Sequence, residues 1–371
     1  MKEWDSFGLD MNILRGIYGN GFEYPSPIQE KAIPILLKGG DVIAQAQSGT
    51  GKTGAFCISA LQRCEATGQQ VLILSPTREL ATQTYDVCKK LACFTQIKIQ
   101  LLIGGTSVDQ DIHDMRKDPQ IIIGCPGRVL DFINRRILSS TLKMIILDEA
   151  DEILSQGFLP QLQSIFTSLA VDQVVLFSAT FPESLKEVTT KIMKSPEEIL
   201  VKSEMLTLEG ISQFFVEFET DHDKLEALQD LFESISMSQS IIYCNSVKRV
   251  CSLYHAMKEA GYPVCCIHSD MEKQERAQSY QDFKNGKYRV LISSNVMARG
   301  IDIQQISIVI NFDLPRCVHT YLHRIGRSGR WGRKGLGINF ITKYDKDMKK
   351  TIEEHYQTQM KELPNSFQNL L

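Results

Sequence analysis

Residues 42–53 read VIAQAQSGTGKT, a short apolar run followed by a loop rich in glycine and serine. Residues 54–61 are compatible with a helix, so the predicted order is strand, loop and helix. In that order the glycines let backbone N–H groups turn towards phosphate oxygens, and the helix N-terminus adds its partial positive charge. The pattern therefore predicts a site for a nucleoside triphosphate. The residues of this phosphate loop are Ala46, Gln47, Ser48, Gly49, Thr50, Gly51, Lys52 and Thr53.

Two side chains of the phosphate loop carry its chemistry. Lys52 is predicted to reach the terminal phosphates, and Thr53 can bind the Mg²⁺ that accompanies them. Ala46 departs from the general pattern, which has Gly at this position. The alternative is a glycine- and serine-rich turn that matches by chance. The strand before the loop and the helix after it favour the phosphate site.

A second apolar run, residues 143–147, leads directly into Asp148, Glu149, Ala150 and Asp151. Open α/β sheets bind ligands at the carboxyl ends of their strands, which is where this tetrapeptide falls. We expect Asp148 to hold Mg²⁺ through water, and Glu149 to orient or deprotonate the water that attacks a phosphoanhydride. The alternative for the tetrapeptide alone is an acidic turn that caps the next helix. The phosphate loop earlier in the chain favours the catalytic interpretation.

Short runs rich in Val, Ile and Leu recur along the chain with helical spacers between them, which is typical of buried parallel strands. They form two sets separated by a polar stretch at residues 202–210. The sequence therefore predicts an α/β fold with two tandem parallel-sheet domains, at residues 1–203 and 212–371, and a linker at 204–211. The predicted strands are 71–74, 97–103, 121–123, 144–147 and 174–177 in the first domain, and 214–218, 241–243, 264–267, 289–292, 307–311 and 336–341 in the second.

The composition excludes several classes of protein. The chain has 371 residues, and 43% hydrophobic with 23% charged residues is ordinary for a soluble globular protein. A net charge of −3 argues against binding a polyanion by bulk charge. The ten cysteines include no C-x-x-C pair, so we predict a reduced intracellular protein without a zinc site or a disulfide framework. No apolar run suits a spanning helix or a signal peptide, so we expect no membrane association.

These motifs and several others stand in the order found in the DEAD-box RNA helicases, which the sequence resembles over nearly the whole chain. Within that family it resembles the translation initiation factor four-A group. The resemblance implies two RecA-like domains, with ATP and Mg²⁺ in the cleft between them and RNA bound across both. The further matching segments are the family's Q motif in the region 7–29, then residues 76–81, 104–105, 126–128, 178–180, 298–302 and 323–330.

The resemblance implies roles for individual residues of the nucleotide site. Phe22 is expected to stack on the adenine, and Gln29 to donate to and accept from its edge. Asp302 is expected to reach the ribose from the second domain. Arg327 and Arg330 are expected to act as arginine fingers on the γ-phosphate after the domains close.

The resemblance also implies an RNA surface on the first domain. Contacts of this kind run from the protein backbone to phosphates and read no bases, so we expect binding that is independent of RNA sequence. Ser178 and Thr180 are expected to couple the nucleotide state to domain closure. The implied RNA contacts are Thr77, Arg78, Gly105, Pro126, Gly127 and Arg128.

Four residues depart from the family pattern on segments that face RNA or the other domain in relatives. Cys125 and Ser294 each replace a usual Thr, and Lys273 replaces a usual Gln. Asn295 replaces a usual Asp, which keeps the size of the side chain and loses its charge. None of the four lies in the hydrolytic core, so the predicted activity stands and the strength of the RNA interaction is left open.

The resemblance implies an ATP-dependent RNA helicase that acts in translation initiation or mRNA processing. An ATP-gated RNA clamp that nucleates a larger complex and unwinds little is the main alternative. A metabolic nucleotide kinase is a third class, but it gives no role to the arginines of residues 323–330. We expect a cytoplasmic monomer, with a nuclear location as the alternative, and protein activators or scaffolds as partners.

Overall fold

The computed structural model describes residues 3–46, 50–64, 67–200, 211–234, 239–295, 306–326, 328 and 335–364. The chain forms two units, Met1–Lys202 and Ser203–Leu371, and each contains a seven-stranded sheet flanked by helices. The predicted α/β fold with two tandem parallel-sheet domains is confirmed. Within the described part of the chain, no helix has the length and apolar character needed to cross a membrane.

The first unit begins with a short 3-10 helix, Trp4–Phe7, and then alternates helices with strands. Its helices are α1 (Met11–Gly19), α2 (Pro27–Lys38), α3 (Lys52–Arg63), α4 (Arg78–Leu91), α5 (Val108–Met115), α6 (Pro126–Asn134), α7 (Ala150–Ser155), α8 (Leu159–Ser168) and α9 (Glu183–Ile192). Its strands are β1 (Val42–Gln45), β2 (Val71–Leu74), β3 (Ile99–Leu102), β4 (Ile121–Gly124), β5 (Thr141–Leu147), β6 (Ala170–Ser178) and β7 (Glu197–Leu200).

The first sheet has the strand order β3-β4-β2-β5-β6-β1-β7, and every neighbouring pair is parallel. Helices cover both of its faces, so alternate residues of one strand enter two different hydrophobic clusters. In β2, Ile73 packs in one cluster and Leu72 in the other, and both are fully buried. This burial on both faces explains why the central strands are continuous apolar runs.

The second unit repeats this architecture. Its helices are α10 (Asp223–Ser234), α11 (Val247–Glu259), α12 (Lys273–Lys284), α13 (Val318–Ile325) and α14 (Lys346–Tyr356). Its strands are β8 (Ile211–Glu217), β9 (Gln239–Tyr243), β10 (Val264–Ile267), β11 (Val290–Ser293), β12 (Ile306–Asn311), β13 (Gly335–Ile341) and β14 (Lys361–Glu362). The order β10-β11-β9-β12-β13-β8-β14 is the order of the first sheet with each strand number raised by seven, so the two sheets share one topology.

Two strands of the sheets were not predicted. The edge strand β7 begins with two glutamates, and β14 consists of two exposed residues, so neither has the apolar run that marks the other strands.

The predicted linker at 204–211 falls mostly on residues 201–210, which lie outside the described residues, and β8 begins at Ile211. The limits given to the two domains therefore stay a prediction.

Helix α1 packs closely on the end of α4, and a glycine makes the contact possible. A Cβ atom placed on Gly16 would lie 2.0 Å from the carbonyl oxygen of Leu91. The Asn20 side-chain amide holds the same contact by donating to the carbonyls of Gly16, at 2.7 Å, and Lys90, at 2.9 Å. Because Phe22 follows soon after the end of α1, this packing also helps to position the candidate adenine contact.

Replacing Gly16 with Ala should lower the free energy of unfolding of the first unit. The added methyl group cannot fit beside a backbone carbonyl, so α1 must move, and such overpacking typically costs about 1–3 kcal/mol. Gly19→Ala is the matched control on the same helix, because its Cβ would lie 3.5 Å from the Phe94 ring, an ordinary contact. Equal denaturation midpoints for the two variants in urea would contradict the close packing of α1 on α4.

Candidate functional site

Most of the candidate residues of the first unit lie at one edge of its sheet, where the parallel strands end. The phosphate loop follows β1, the acidic pair follows β5, and Ser178 ends β6. The RNA candidates follow β2, β3 and β4. Because the order is β3-β4-β2-β5-β6-β1, the nucleotide candidates occupy one half of the edge and the RNA candidates the adjoining half.

The centre of the nucleotide half is an ion pair between the phosphate loop and the acidic strand end. Lys52 Nζ lies 2.9 Å from Glu149 Oε1, and their side chains are only 5% and 4% exposed. Lys52 opens α3, and the residue before it, Gly51, has a φ of 98°, which favours glycine. A buried charge pair of this kind is held by mutual attraction in a low-dielectric environment.

Glu149 has an unusual backbone conformation for its residue type. Its φ of 48° and ψ of 54° place it in the left-handed region, immediately before α7. A residue other than glycine in this region stores strain, and such strain collects at functional sites. The conformation turns the chain between Asp148 and the start of α7.

Asp148 carries a buried carboxyl oxygen without a hydrogen-bond partner in the described part of the chain. The residue is 2% exposed, and the oxygen concerned is Oδ2. Burial, and after it the neighbouring Glu149 carboxylate, raises the pKa of Asp148 to about 7, while Lys52 opposes the rise. A buried carboxyl oxygen without a hydrogen-bond partner is a suitable ligand for a divalent cation, because the charge of the cation favours the ionised carboxylate.

Gln29 is tied to the phosphate loop rather than free. Its Oε1 accepts from the Ser26 N–H at 2.7 Å, and its Nε2 donates to the Gly51 carbonyl at 3.0 Å. Ser26 and Gln29 form a capping box at the start of α2, a signal that S-x-x-Q in the sequence could have revealed. The amide retains one N–H and one lone pair for a ligand.

Phe22 is half-buried beside the same loop. A Cβ on Gly54 would lie 3.6 Å from its ring and 2.6 Å from Gln29 Nε2, so the chain needs Gly54 here. The fully buried indole of Trp4 donates to the Phe22 carbonyl at 2.9 Å. Trp4 was not predicted as part of the site, because nothing in the sequence links it to a residue eighteen positions away.

Ser178 and Thr180 connect the end of β6 to the last residue of the acidic tetrapeptide. Ser178 Oγ accepts from the Asp151 N–H at 3.3 Å and donates to the Thr180 carbonyl at 2.7 Å. Thr180 Oγ1 donates to the Asp151 carboxylate. The Ala46 N–H donates to the Ser178 carbonyl at 3.0 Å, so the start of the phosphate loop, the acidic strand end and Ser178 form one connected group.

The RNA half of the edge presents helix N-termini and glycines. Thr77 caps α4 by accepting from the Leu80 N–H, and the guanidinium of Arg78 lies beside Gly104. Gly105 has a φ of 82° and is exposed. Pro126 and Gly127 open α6, and a Cβ on Gly127 would meet nothing within 4 Å. The open space lets a ligand approach the backbone there.

Arg128 has protein partners. Its Nη1 lies 2.7 Å from the Asp111 carboxylate, its Nη2 donates to the Thr106 carbonyl at 3.0 Å, and its side chain is 9% exposed. The pair joins α6 to α5, and the bond to Thr106 joins α6 to the loop that contains Gly105. Asp111 was not predicted, because no motif in the sequence marks it. Direct contact between Arg128 and RNA stays a prediction.

Several predicted site residues lie outside the described residues: Gln47, Ser48, Gly49, Asp302, Arg327 and Arg330. Thr50 and Thr53 are half-buried beside Gly51 and Lys52. Among the four residues that depart from the family pattern, Cys125 is buried at the start of α6 and gives its helix no side-chain cap, and Lys273 opens α12. Ser294 and Asn295 follow β11.

The strand order, with a phosphate loop after β1, defines a P-loop NTPase with two RecA-like sheets. The DEAD/DEAH box helicase model matches residues 26–188, and the helicase conserved C-terminal domain model matches residues 223–332. The ATP-dependent RNA helicase eIF4A of Saccharomyces cerevisiae is 50% identical over 373 aligned residues, which cover 100% of this chain and 94% of that protein. This chain belongs to the DEAD/DEAH box helicase family, as its motifs predicted.

Solved structures agree with this assignment. S. cerevisiae Dbp5 bound to RNA and ADP BeF3 has a TM-score of 0.92 and 35% identity, covering 100% of this chain and 97% of that one. A Dbp5 variant bound to a Gle1 variant and IP6 has a TM-score of 0.79 and 36% identity, covering 98% and 95%. The predictions of an RNA-stimulated ATPase and an ATP-dependent RNA helicase are confirmed.

The buried pair of Lys52 and Glu149 should show strong energetic coupling. In a double-mutant cycle with Lys52→Met and Glu149→Gln, the double variant should lose less unfolding free energy than the two single variants together, with a coupling of about 0.5–3 kcal/mol. Lys186 and Glu183 form the matched control, because they are also 2.9 Å apart but are 53% and 77% exposed. Their coupling should stay below about 1 kcal/mol. Equal coupling in the two cycles would contradict a buried pair.

Proposed function

We propose that this helicase hydrolyses ATP with Mg²⁺ at the carboxyl edge of the first sheet, with Lys52, Asp148 and Glu149 as the central residues. The observation that carries the proposal is the unpartnered, buried Asp148 oxygen next to the ion pair of Lys52 and Glu149. In the described part of the chain, no group of three or more His, Cys, Asp or Glu side chains could hold a metal ion. The unpartnered Asp148 oxygen suits Mg²⁺, because this ion uses few protein ligands together with several phosphate and water oxygens.

Each residue has a separate task in this proposal. Thr53 and Asp148 hold Mg²⁺, which neutralises charge on the phosphates when it is bound. Lys52 binds the terminal phosphates and moves from Glu149 towards them, because the phosphates carry more negative charge than one carboxylate. Glu149, once released, orients the attacking water and accepts its proton. The left-handed backbone of Glu149 supports this role, since strained conformations of this kind collect at functional sites.

The adenine end is proposed to lie against Phe22 and Gln29. The remaining N–H and lone pair of the Gln29 amide can pair with one acceptor and one donor on the edge of a base. Through the bonds from Gln29 to Ser26 and Gly51, binding of a base would then affect the conformation of the phosphate loop. The remainder of the phosphate loop, from Ala46 to Thr50 with Gly51, is proposed to surround the phosphates, and Asp302 to reach the ribose.

RNA is proposed to bind along the adjoining half of the edge through backbone groups near Thr77, Arg78, Gly105, Pro126 and Gly127. Helix N-termini and an open glycine favour phosphate contacts, so binding should not depend on base sequence. The partners of Arg128 support an indirect role, in which it holds the Gly105 loop against α6. Ser178 and Thr180 are proposed to transmit the nucleotide state, because both bond to Asp151.

The likeness to eIF4A supports a role in translation initiation, and mRNA processing is the alternative. Dbp5 has been solved with Gle1, which supports protein activators or scaffolds as partners of this chain too. We place the protein in the cytoplasm as a monomer, with a nuclear location as the alternative. An ATP-gated clamp that unwinds little remains the second candidate, because it would use the same site.

One sample can test the proposed activity and separate the two candidates. With single-stranded RNA added, ATP turnover should rise, and a short RNA duplex should be released over many turnovers. Glu149→Gln should bind ATP with near wild-type affinity, lose at least about a hundredfold in turnover and stay on RNA in ATP. Stimulated ATPase without duplex release would favour the clamp. Turnover near the wild-type rate in Glu149→Gln would refute its catalytic role.

Arg330→Ala tests the proposed arginine fingers. If Arg327 and Arg330 act on the γ-phosphate, the variant should bind ATP but lose most of the RNA-stimulated rate, since finger contributions are on the order of a thousandfold. The ATPase rate should be measured as RNA concentration is raised. A plateau equal to that of the wild type, reached only at higher RNA concentration, would mean that Arg330 binds RNA and does not act on the phosphate.

A further inference from the structure

Arg324 in the second unit is a fully buried cation whose hydrogen bonds all go to neutral oxygens. Its Nε and Nη2 donate to Asn295 Oδ1 at 3.0 and 2.6 Å, and Nη2 also donates to Asn245 Oδ1 at 2.8 Å. Nη1 donates to Asn311 Oδ1 at 3.1 Å and to the Asp313 carbonyl at 2.8 Å. All five N–H donors are therefore used, and none of these acceptors is a carboxylate.

These acceptors share one place in the fold. Asn245, Asn295 and Asp313 each stand two residues after the end of β9, β11 and β12, and Asn311 ends β12. Arg324 is therefore hydrogen-bonded to the ends of three neighbouring strands at the carboxyl edge of the second sheet. Ligands of open parallel sheets bind outside this edge.

The charges around Arg324 do not balance in the described part of the chain. The Asp313 carboxylate lies 2.6 Å from an Nη of Arg249, and Asp221 bonds to both Arg249 and Lys224. Three cations therefore share two carboxylates, which leaves one net positive charge. Burial lowers the pKa of Arg324 to about 10, as expected for a guanidinium that has lost its water.

We infer that this excess charge attracts the phosphates of the RNA, and that Asn295 preserves it by keeping a carboxylate away from Arg324. The inference rests on the proposed binding of RNA and adds the carboxyl edge of the second sheet to the surface that attracts it. Buried charges are normally paired, because desolvation is costly. Here the missing counter-charge comes from the ligand. Since Arg324 has no donor left, it acts through its field and not through direct contact.

Asn295 controls this field because of its position. It is exposed, it receives two of the five hydrogen bonds of Arg324, and an Asp of the same size could accept them equally well. That Asp would cancel the net charge. At an effective dielectric constant of about 20, one unit charge added or removed near a phosphate changes the affinity by about tenfold or less once salt screening is included.

The experiment compares Asn295→Asp with two other variants of the full chain. Asn285→Asp is the matched control, because this exposed residue follows α12 at the opposite end of β11. Asp221→Asn raises the net charge of the cluster to +2. For each variant we would measure the melting temperature without ligand, the Kd of a fluorescent oligouridylate at several salt concentrations, and the ATPase rate at saturating RNA.

Asn295→Asp should melt at a higher temperature than wild type and bind RNA about three- to tenfold more weakly, with the difference shrinking as salt rises. Asp221→Asn should show the opposite signs, and Asn285→Asp should bind RNA like wild type. The ATPase rate at saturating RNA should stay within about twofold of wild type, since the field acts on binding.

Unchanged or tighter RNA binding by Asn295→Asp would overturn the inference, and so would a melting temperature no higher than that of wild type. A loss of ATPase rate at saturating RNA would also overturn it, because it would assign Asn295 a mechanical role in the position of the fingers. A wild-type chain that does not bind oligouridylate contradicts the proposed function itself. These results are therefore distinguishable.

Discussion

The chemistry of the first unit depends on one constraint, that its seven strands run parallel. Parallel strands bring their carboxyl ends to one edge, so segments far apart in the chain meet there. Lys52 and Glu149 are 97 positions apart, yet they form a buried ion pair because β1 and β5 lie on either side of β6. The same order assigns one half of the edge to the nucleotide candidates and the other half to the RNA candidates.

The two units treat buried charge in different ways. In the first, Lys52 and Glu149 neutralise each other, and the cost of burying them is offset locally. In the second, Arg324 rests on amide and carbonyl oxygens, beside the ring of Tyr243 at 5.1 Å. The first arrangement suits a site that must exchange one partner for a phosphate. The second suits a long-range attraction towards a polyanion.

Several candidate side chains have a structural partner as well as a predicted functional role. Gln29 caps α2 and bonds to the phosphate loop, and Arg128 pairs with Asp111. Ser178 bonds to both Asp151 and Thr180. Because these bonds link neighbouring segments, binding at one segment can shift another. Within the first unit, the bonds of Gln29 and Ser178 connect segments of the nucleotide half of the edge, and the pair of Arg128 and Asp111 connects α6 to α5 in the RNA half.

The sequence by itself determined the fold class and predicted the candidate residues of the nucleotide half of the edge. Residues that bind phosphate or activate water occur in local patterns, which can be read in one dimension, and the run from Ala46 to Thr53 and the pair Asp148 and Glu149 match such patterns. The apolar runs predicted most strands for a similar reason, since strands buried on both faces must be apolar throughout. The strands β7 and β14 were missed because edge strands need no such run.

Only the tertiary structure decided which of these residues meet. Trp4 and Phe22, Asp111 and Arg128, and the partners of Arg324 are joined by strand order and helix packing, which no local pattern records. Arg324 shows the physical reason most clearly. The sequence shows that residue 324 is an arginine. Whether its N–H groups donate to carboxylates or to amides depends on three strand ends that come together only in the folded second unit.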